Sequence, residues 1–483
     1  MICSDHPPAS FAQYRIWSEH QRDADTDQSS LTIHNMPFCY HLYTGDILSV
    51  KQLRHAFRLV ITKHESLHTS LIYDSNENLL TQRVLSQQEI DNDMFTITES
   101  IYETDEQLSA IIKNEKCNPQ LFDLSEGIVF RCHLVYYKQM SSNNILSDKD
   151  IIIFNFHHAF FDYPSMNIFL HDLDQAYKTG QLTTDNNTTL RYIDFALIEQ
   201  QMSMTGASMF WLDTLYNCYL GQSVPLPYDR YRLSNEHQTS HTTSISFDFG
   251  LDLSHHFLTY ASSNNIKHEH VALAIYFIFL FKLTNGEKDL CIAMNIDNRY
   301  SDELKSIIGL FENIIPLRCQ LDPHWSVHYL LDYVQEITTS SMKYSYLPLQ
   351  HILNQHPNVS KPAFLDISFQ FLSSMTRSDN KLIMIGDSQL SSVPSTMNIN
   401  DNVIADKYDF SLLIQHDLNI NQLSCTINAS LDLFNVETID KVSQRFHSIL
   451  KQFFTSVDDQ VNEPIYEISL IVPNERLLMQ SMN

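Results

Sequence analysis

Along residues 50–62, "VKQLRHAFRLVIT", apolar side chains fall at Val50, Leu53, Ala56, Phe57, Val60 and Ile61. Steps of three and four predict a helix with one apolar stripe. "TSLIY" (69–73) follows as a strand. "DIIIFNF" (150–156) is apolar almost throughout, the pattern of a strand buried on both faces. The next stretch, "PSMNIFLHDLDQAYKTG" (164–180), returns to helical spacing. Pro164 suits its first turn, and Lys178 and Gly180 mark its end.

A polar stretch, "TGQLTTDNNTTL" (179–190), then interrupts the pattern and reads as a linker. Beyond it the alternation restarts. It predicts a helix near 192–202, a strand over 242–250, a buried helix over 270–283 and a strand over 289–296. Residues 373–403 are polar and loop-like, with one apolar, hairpin-like piece. Helices and strands alternate in both halves, so the fold class is α/β, with mixed sheets flanked by helices.

Length agrees with two lobes, since 483 residues are too many for one ordinary core. The formal net charge of -26 argues against a nucleic-acid binder or a polybasic membrane-surface protein. "VALAIYFIFLF" (271–281), the longest apolar run, is too short to span a bilayer. "MICSDHPPAS" has neither a basic segment nor a long apolar one, so no secretory signal is expected. The eight cysteines form no CxxC pair and mostly sit in apolar runs. They read as buried free thiols in a reducing, cytoplasmic setting, where sites such as Asn428 go unglycosylated.

Glycine excludes several chemistries. Nine scattered glycines build no GxGxxG, P-loop or GxSxG. "KHESLH" sets His64, Glu65 and His68 in zincin order. Zinc binding would need both histidines on one helical face, but the apolar stripe stops just before them. "KHEH" (267–270) and "SHHF" (254–257) are weaker look-alikes, and no metal is expected.

The segment "FHHAFFD" (156–162) holds more chemistry. In extended backbone, consecutive side chains point to opposite faces. One of His157 and His158 can therefore enter a cleft while the other packs inward. An imidazole at a strand end suits a general base near neutral pH. Asp162 can cap the next helix or hold an arginine. Taken alone, these residues fit a catalytic centre or two core histidines beside a cap.

They are not alone. "SFAQYRIW" (10–17), "KHESLHTSL" (63–71), "FHHAFFDYPS" (156–165), "YIDFALIEQQ" (192–201), "IIGLFENIIPLR" (307–318), "YLPLQHIL" (346–353) and "PAFLDISFQF" (362–371) occur in that order. The series resembles the ordered motifs of the condensation domains of nonribosomal peptide synthetases, relatives of chloramphenicol acetyltransferase. The third segment is similar to their HHxxxDG motif.

That resemblance implies two acetyltransferase-like lobes in a V, residues 1–180 and 190–463, each a mixed sheet flanked by helices, with an active-site tunnel between them. Residues 464–483 resemble a linker into an adenylation domain. Donor and acceptor carrier proteins are the implied partners. They would deliver phosphopantetheine arms, and no cofactor would be bound directly. An acceptor amine would attack a donor thioester to form an amide.

His158 would act as base or positioner, with His157 mainly structural. Asp162 would pair with Arg299. Gln370, Tyr163 and Ser165 would support the site, with Gln13 and Arg15 structural or tunnel-lining. Tyr163 stands where the motif has glycine and would narrow or fill the donor path. A non-catalytic docking domain and an acyltransferase using a free amine, alcohol or CoA remain as alternatives. An epimerisation domain shares HHxxxD. A cyclisation domain would be expected to carry an aspartate at position 157.

Overall fold

The structure, a computed structural model, describes residues 6–25, 34–91, 96–139, 144–182, 190–231, 242–356, 362–374, 383–393, 408–418, 420–455, 463–471 and 475. Cys3, the linker centre at 183–189, most of the loop around the hairpin-like piece and most of 472–483 lie outside the described residues. The described residues fall into two compact units.

The first unit takes the described residues within Met1–Ser203, Asp297–Glu312 and Asn380–Asn400. It therefore runs on past the expected break at 179–190. Tyr192 shows why: its hydroxyl donates to the Leu310 carbonyl at 2.6 Å and lies 2.8 Å from Ser10 Oγ.

The sheet of this unit has six strands in the order Ile383–Ile385, Ser388–Ser392, Asn35–Leu42, Ile151–His157, Phe130–Tyr137, Thr96–Tyr102. Ile151–His157 is central, antiparallel to both neighbours, and buried at every position. Only the outermost pair, Thr96–Tyr102 with Phe130–Tyr137, is parallel. The hairpin-like piece of the polar region is a true hairpin, and it joins this sheet through Tyr40–Leu42.

Two helices cover one face of the sheet, and Asp105–Cys117 packs on the other through Leu108, Ile111 and Ile112. Val50–Lys63 buries all six residues of its stripe, and Ser49 caps it. Tyr163–Thr179 begins on the Asp162 cap with proline in its first turn, and ends at Gly180 with φ 67°. Phe57 and Phe169 close edge-on over Phe154 from the two helices.

The second unit holds the other six-stranded sheet, ordered Glu312–Gln320, Asp289–Asp297, Ile367–Ser374, Phe410–Asp417, Gln422–Ser430, Thr242–Asp248. It mixes parallel pairs at its centre with antiparallel pairs towards Thr242–Asp248. The buried helix runs His268–Leu283 and buries thirteen side chains. Each unit is thus a mixed sheet flanked by helices. Among the described residues, no helix is long and apolar enough to cross a membrane. The described cysteines are free. Four are buried, while Cys39, Cys117 and Cys218 are only half-buried.

Candidate active site

The site is built where the central strand of the first unit ends. His157 is the last strand residue and is 2% exposed. Its Nδ1 accepts the Ala159 N–H at 3.2 Å. The rings of His20, His34 and Phe122 surround it at 5.5, 5.8 and 5.7 Å. Burial holds its pKa well below the ordinary value, and the neighbouring imidazoles of His34, His20 and His158 oppose a proton further. Burial thus favours the neutral form of this ring.

His158 opens the short turn His158–Phe160 that follows the strand. Its N–H donates to the His34 carbonyl at 2.8 Å. Its Nδ1 lies 3.0 Å from the Phe161 carbonyl. A carbonyl only accepts, so Nδ1 carries the hydrogen. In the neutral ring the lone pair is then on Nε2. The side chain is 20% exposed, and Nε2 stands 3.6 Å from a carboxylate oxygen of Glu312.

Asp162 and Arg299 pair as expected, 137 residues apart in sequence. Arg299 Nη1 donates to Oδ2 at 2.7 Å and Nη2 to Oδ1 at 2.8 Å. Both residues are buried. Burial works against the guanidinium charge, but Asp162 and Asp297 outweigh it, and the Arg299 pKa rises above the ordinary value. Asp162 Oδ2 also accepts the Phe311 N–H at 3.0 Å. Its Oδ1 accepts the Ser165 N–H and hydroxyl at 3.1 and 2.6 Å. Ser165 Oγ in turn accepts from the Gly309 N–H at 3.2 Å and Arg299 Nη2 at 3.0 Å. The guanidinium plane lies over the Phe311 ring at 4.3 Å. Asp162 is therefore cap, counter-ion and clamp at once.

Tyr163 occupies the first helical position without a positive φ, so this backbone makes no demand for glycine. The residue is 67% exposed, its ring lies edge-on to Phe38 at 5.7 Å, and the surrounding protein raises the phenol pKa by burial. Gln13 caps the helix Phe11–Asp25: its Oε1 accepts the Ser10 N–H at 3.0 Å while Ser10 Oγ accepts its own N–H at 3.1 Å. Arg15 is buried. Gln370 lies half-buried on a strand of the second unit.

The zincin look-alike comes apart. The helix stops at Lys63, and Glu65–His68 is a tighter turn. His64 Nε2 and Lys63 Nζ both bind Asp172, each at 2.7 Å. Burial pushes the His68 pKa down to about 4. Among the described residues, no cluster of histidine, cysteine or acidic groups could hold a metal.

Sequence reasoning missed Glu312. The signal was present: an acidic residue interrupts the apolar run "GLFENIIPL". It missed the His34 carbonyl too, because a backbone acceptor leaves no mark in the residue type.

The condensation domain family model matches residues 3–469. The chain belongs to the condensation domain family. Among curated members, it is 23% identical to surfactin synthase subunit 2 of Bacillus subtilis (strain 168), over 98% of this chain and 12% of that protein. The chain thus spans about an eighth of that relative's length. Solved structures share its fold, two of which are the following. The X-domain in the complex of the X-domain and OxyB from teicoplanin biosynthesis gives a TM-score of 0.75 at 18% identity, covering 98% and 97% of the two chains. The condensation domain of the monacolin K polyketide synthase MokA gives 0.74 at 15% identity, covering 95% and 98%.

Proposed function

We propose that this condensation domain joins a carrier-bound acyl or peptidyl thioester to an amine acceptor, forming an amide and releasing a thiol. The observation that carries the reading is His158: Nδ1–H is committed to the Phe161 carbonyl, which leaves Nε2 as a partly exposed base. As the amine attacks the thioester carbonyl, Nε2 takes a proton from the nitrogen and returns it to the departing sulfur. Asp162, Arg299 and Ser165 hold the backbone around that imidazole and touch no substrate. Gln370 and Tyr163 are assigned supporting roles on motif position.

In this reading the partners are donor and acceptor carrier proteins, whose phosphopantetheine arms bring in both thioesters, with an adenylation domain as neighbour. No cofactor is bound directly. Its place in a larger synthetase is supported by the curated relative, whose length is several times that of this chain.

The experiment is an intact-mass transfer assay. The protein is mixed with a carrier loaded with an acyl thioester and a panel of amines, beside a His158→Ala control. Mass moving to an acceptor only when His158 is present supports the proposal. Equal transfer by both proteins rejects it. A second reading, a platform that binds loaded carriers without chemistry, draws on Tyr163 at the motif's glycine position and on the X-domain fold, solved in complex with OxyB. Capture of loaded carrier without any transfer favours it.

A further inference from the structure

The carboxylate beside His158 has no counterpart in the mechanism above. Glu312 lies 3.6 Å from Nε2 and its side chain is 23% exposed. Among the described residues, no lysine or arginine pairs with it. Its position is fixed indirectly. Phe311 next to it packs on the Arg299 guanidinium and gives its N–H to Asp162. Glu312 then opens the strand Glu312–Gln320 with its carboxylate beside the imidazole. Asp162, four residues after His158, thereby anchors both ends of the His158–Glu312 pair.

Proton bookkeeping shows what such a pair can do. A neutral primary amine becoming an amide nitrogen loses one proton, and the departing thiolate gains one. A single base that carries that proton suffices. A primary ammonium must lose two. His158 has one open nitrogen, because Nδ1–H is committed to a carbonyl. A second base is needed for a protonated acceptor, and a carboxylate is also the group that attracts one.

Building on the acyl-transfer reading, we propose that Glu312 is the acceptor-binding residue for a primary ammonium. The ammonium is held between Glu312 and Nε2 of His158. Its first proton passes to the Glu312 carboxylate and on to water. The freed amine attacks the thioester carbonyl: the C–N bond forms, His158 takes the second proton, the C–S bond breaks, and that proton goes to the thiolate. One proton is released overall. The pair thereby favours a cationic primary amine over an alcohol or a neutral nucleophile.

The test does not depend on turnover. Binding of the N-acetylcysteamine thioester of alanine is compared by calorimetry at pH 6.5 with that of the propionyl thioester, which lacks only the amine. The wild-type protein is expected to bind the ammonium form about tenfold or more tightly, the value of one charge-assisted contact. Glu312→Gln should erase that preference and leave propionyl binding unchanged, while Glu312→Asp keeps part of it. Equal binding of the two probes by the wild type overturns the proposal, as does a Glu312→Gln loss that is the same for both.

Turnover separates this proposal from the reading beneath it. An ammonium preference without acyl transfer leaves Glu312 as the binding residue and rejects catalysis. Where transfer occurs, Glu312→Gln should slow an alkylamine acceptor about tenfold at neutral pH. An alkoxyamine, unprotonated at that pH, should react as with the wild type. An equal slowing of both overturns the second-base role.

Discussion

Gly309 lies against the face of Tyr192. A Cβ placed on the glycine would stand 2.0 Å from Cδ2 of the ring. The ring has little freedom to retreat, because its hydroxyl bonds the Leu310 carbonyl and Ser10. Gly309→Ala should cost about 2–3 kcal/mol of unfolding free energy by overpacking. Replacing Tyr192 by Leu should remove most of that extra cost. Urea titrations around the double-mutant cycle would show it, and a cycle additive to within about 0.5 kcal/mol would argue against this contact as the cause.

Arg299 has a different dependence. Arg299→Ala leaves the Asp162 carboxylate buried without its cation, a change that costs about 3–5 kcal/mol. Arg299→Lys keeps the charge but loses the two parallel bonds, so it should fall between wild type and alanine. Acyl transfer should decline in the same order, because the His158 loop is held from Asp162. A folded, fully active Arg299→Ala protein would contradict the assigned role.

Glu199 supplies a pH dependence. Its carboxyl is buried and accepts the Phe11 N–H at 2.9 Å. Burial raises its pKa to about 7, with that N–H opposing the shift. The folded state therefore holds this proton where the unfolded chain has released it. Stability from this group is full below the ordinary carboxyl pKa, falls as pH rises to about 7, and is then flat. The loss is about 3 kcal/mol. Glu199→Gln should abolish it. His68 works in the opposite sense, gaining stability between pH 4 and its ordinary value, so the comparison must be variant against wild type. Denaturation midpoints at pH 5 and pH 8 that diverge equally for both proteins would refute the assignment.

Tyr163 separates backbone from access. No positive φ is needed there, and the residue as a whole is exposed. Tyr163→Gly should cost no more than about 1 kcal/mol, the intrinsic penalty of glycine in a helix. Its effect should fall on the donor: longer acyl thioesters should be transferred faster relative to acetyl. An unchanged chain-length profile in the intact-mass assay would remove Tyr163 from the donor path.

Much of this was readable from residue order. The stripe of Val50–Ile61 emerged in place, because period determines which face is buried, and the apolar strand expected at 150–156 formed one residue later, Ile151–His157. The Asp162 cap and the Gly180 terminus followed from local rules. The Asp162–Arg299 pair came only through the family likeness, since no spacing rule links residues 137 apart. Two features escaped. The hairpin Ile383–Ser392 reads as a short local turn, yet its partner strand lies some 340 residues earlier, as in Leu42 opposite Leu390. Glu312 is one charge in an apolar strand, and its meaning depends on which imbibed neighbour the fold brings to it, here the open nitrogen of His158.

The order of the first sheet has a consequence for synthesis. Strands Asn35–Leu42 and Ile151–His157 leave the ribosome early, but the hairpin that covers the outer edge of Asn35–Leu42 is made more than 340 residues later. Until then that edge exposes unpaired amide and carbonyl groups, the pattern that recruits other chains. Asp162 waits in the same way for Arg299. Nascent chains halted between these points carry an open strand and an unmatched carboxylate, so translation speed through residues 200–390 sets how long the growing protein needs protection.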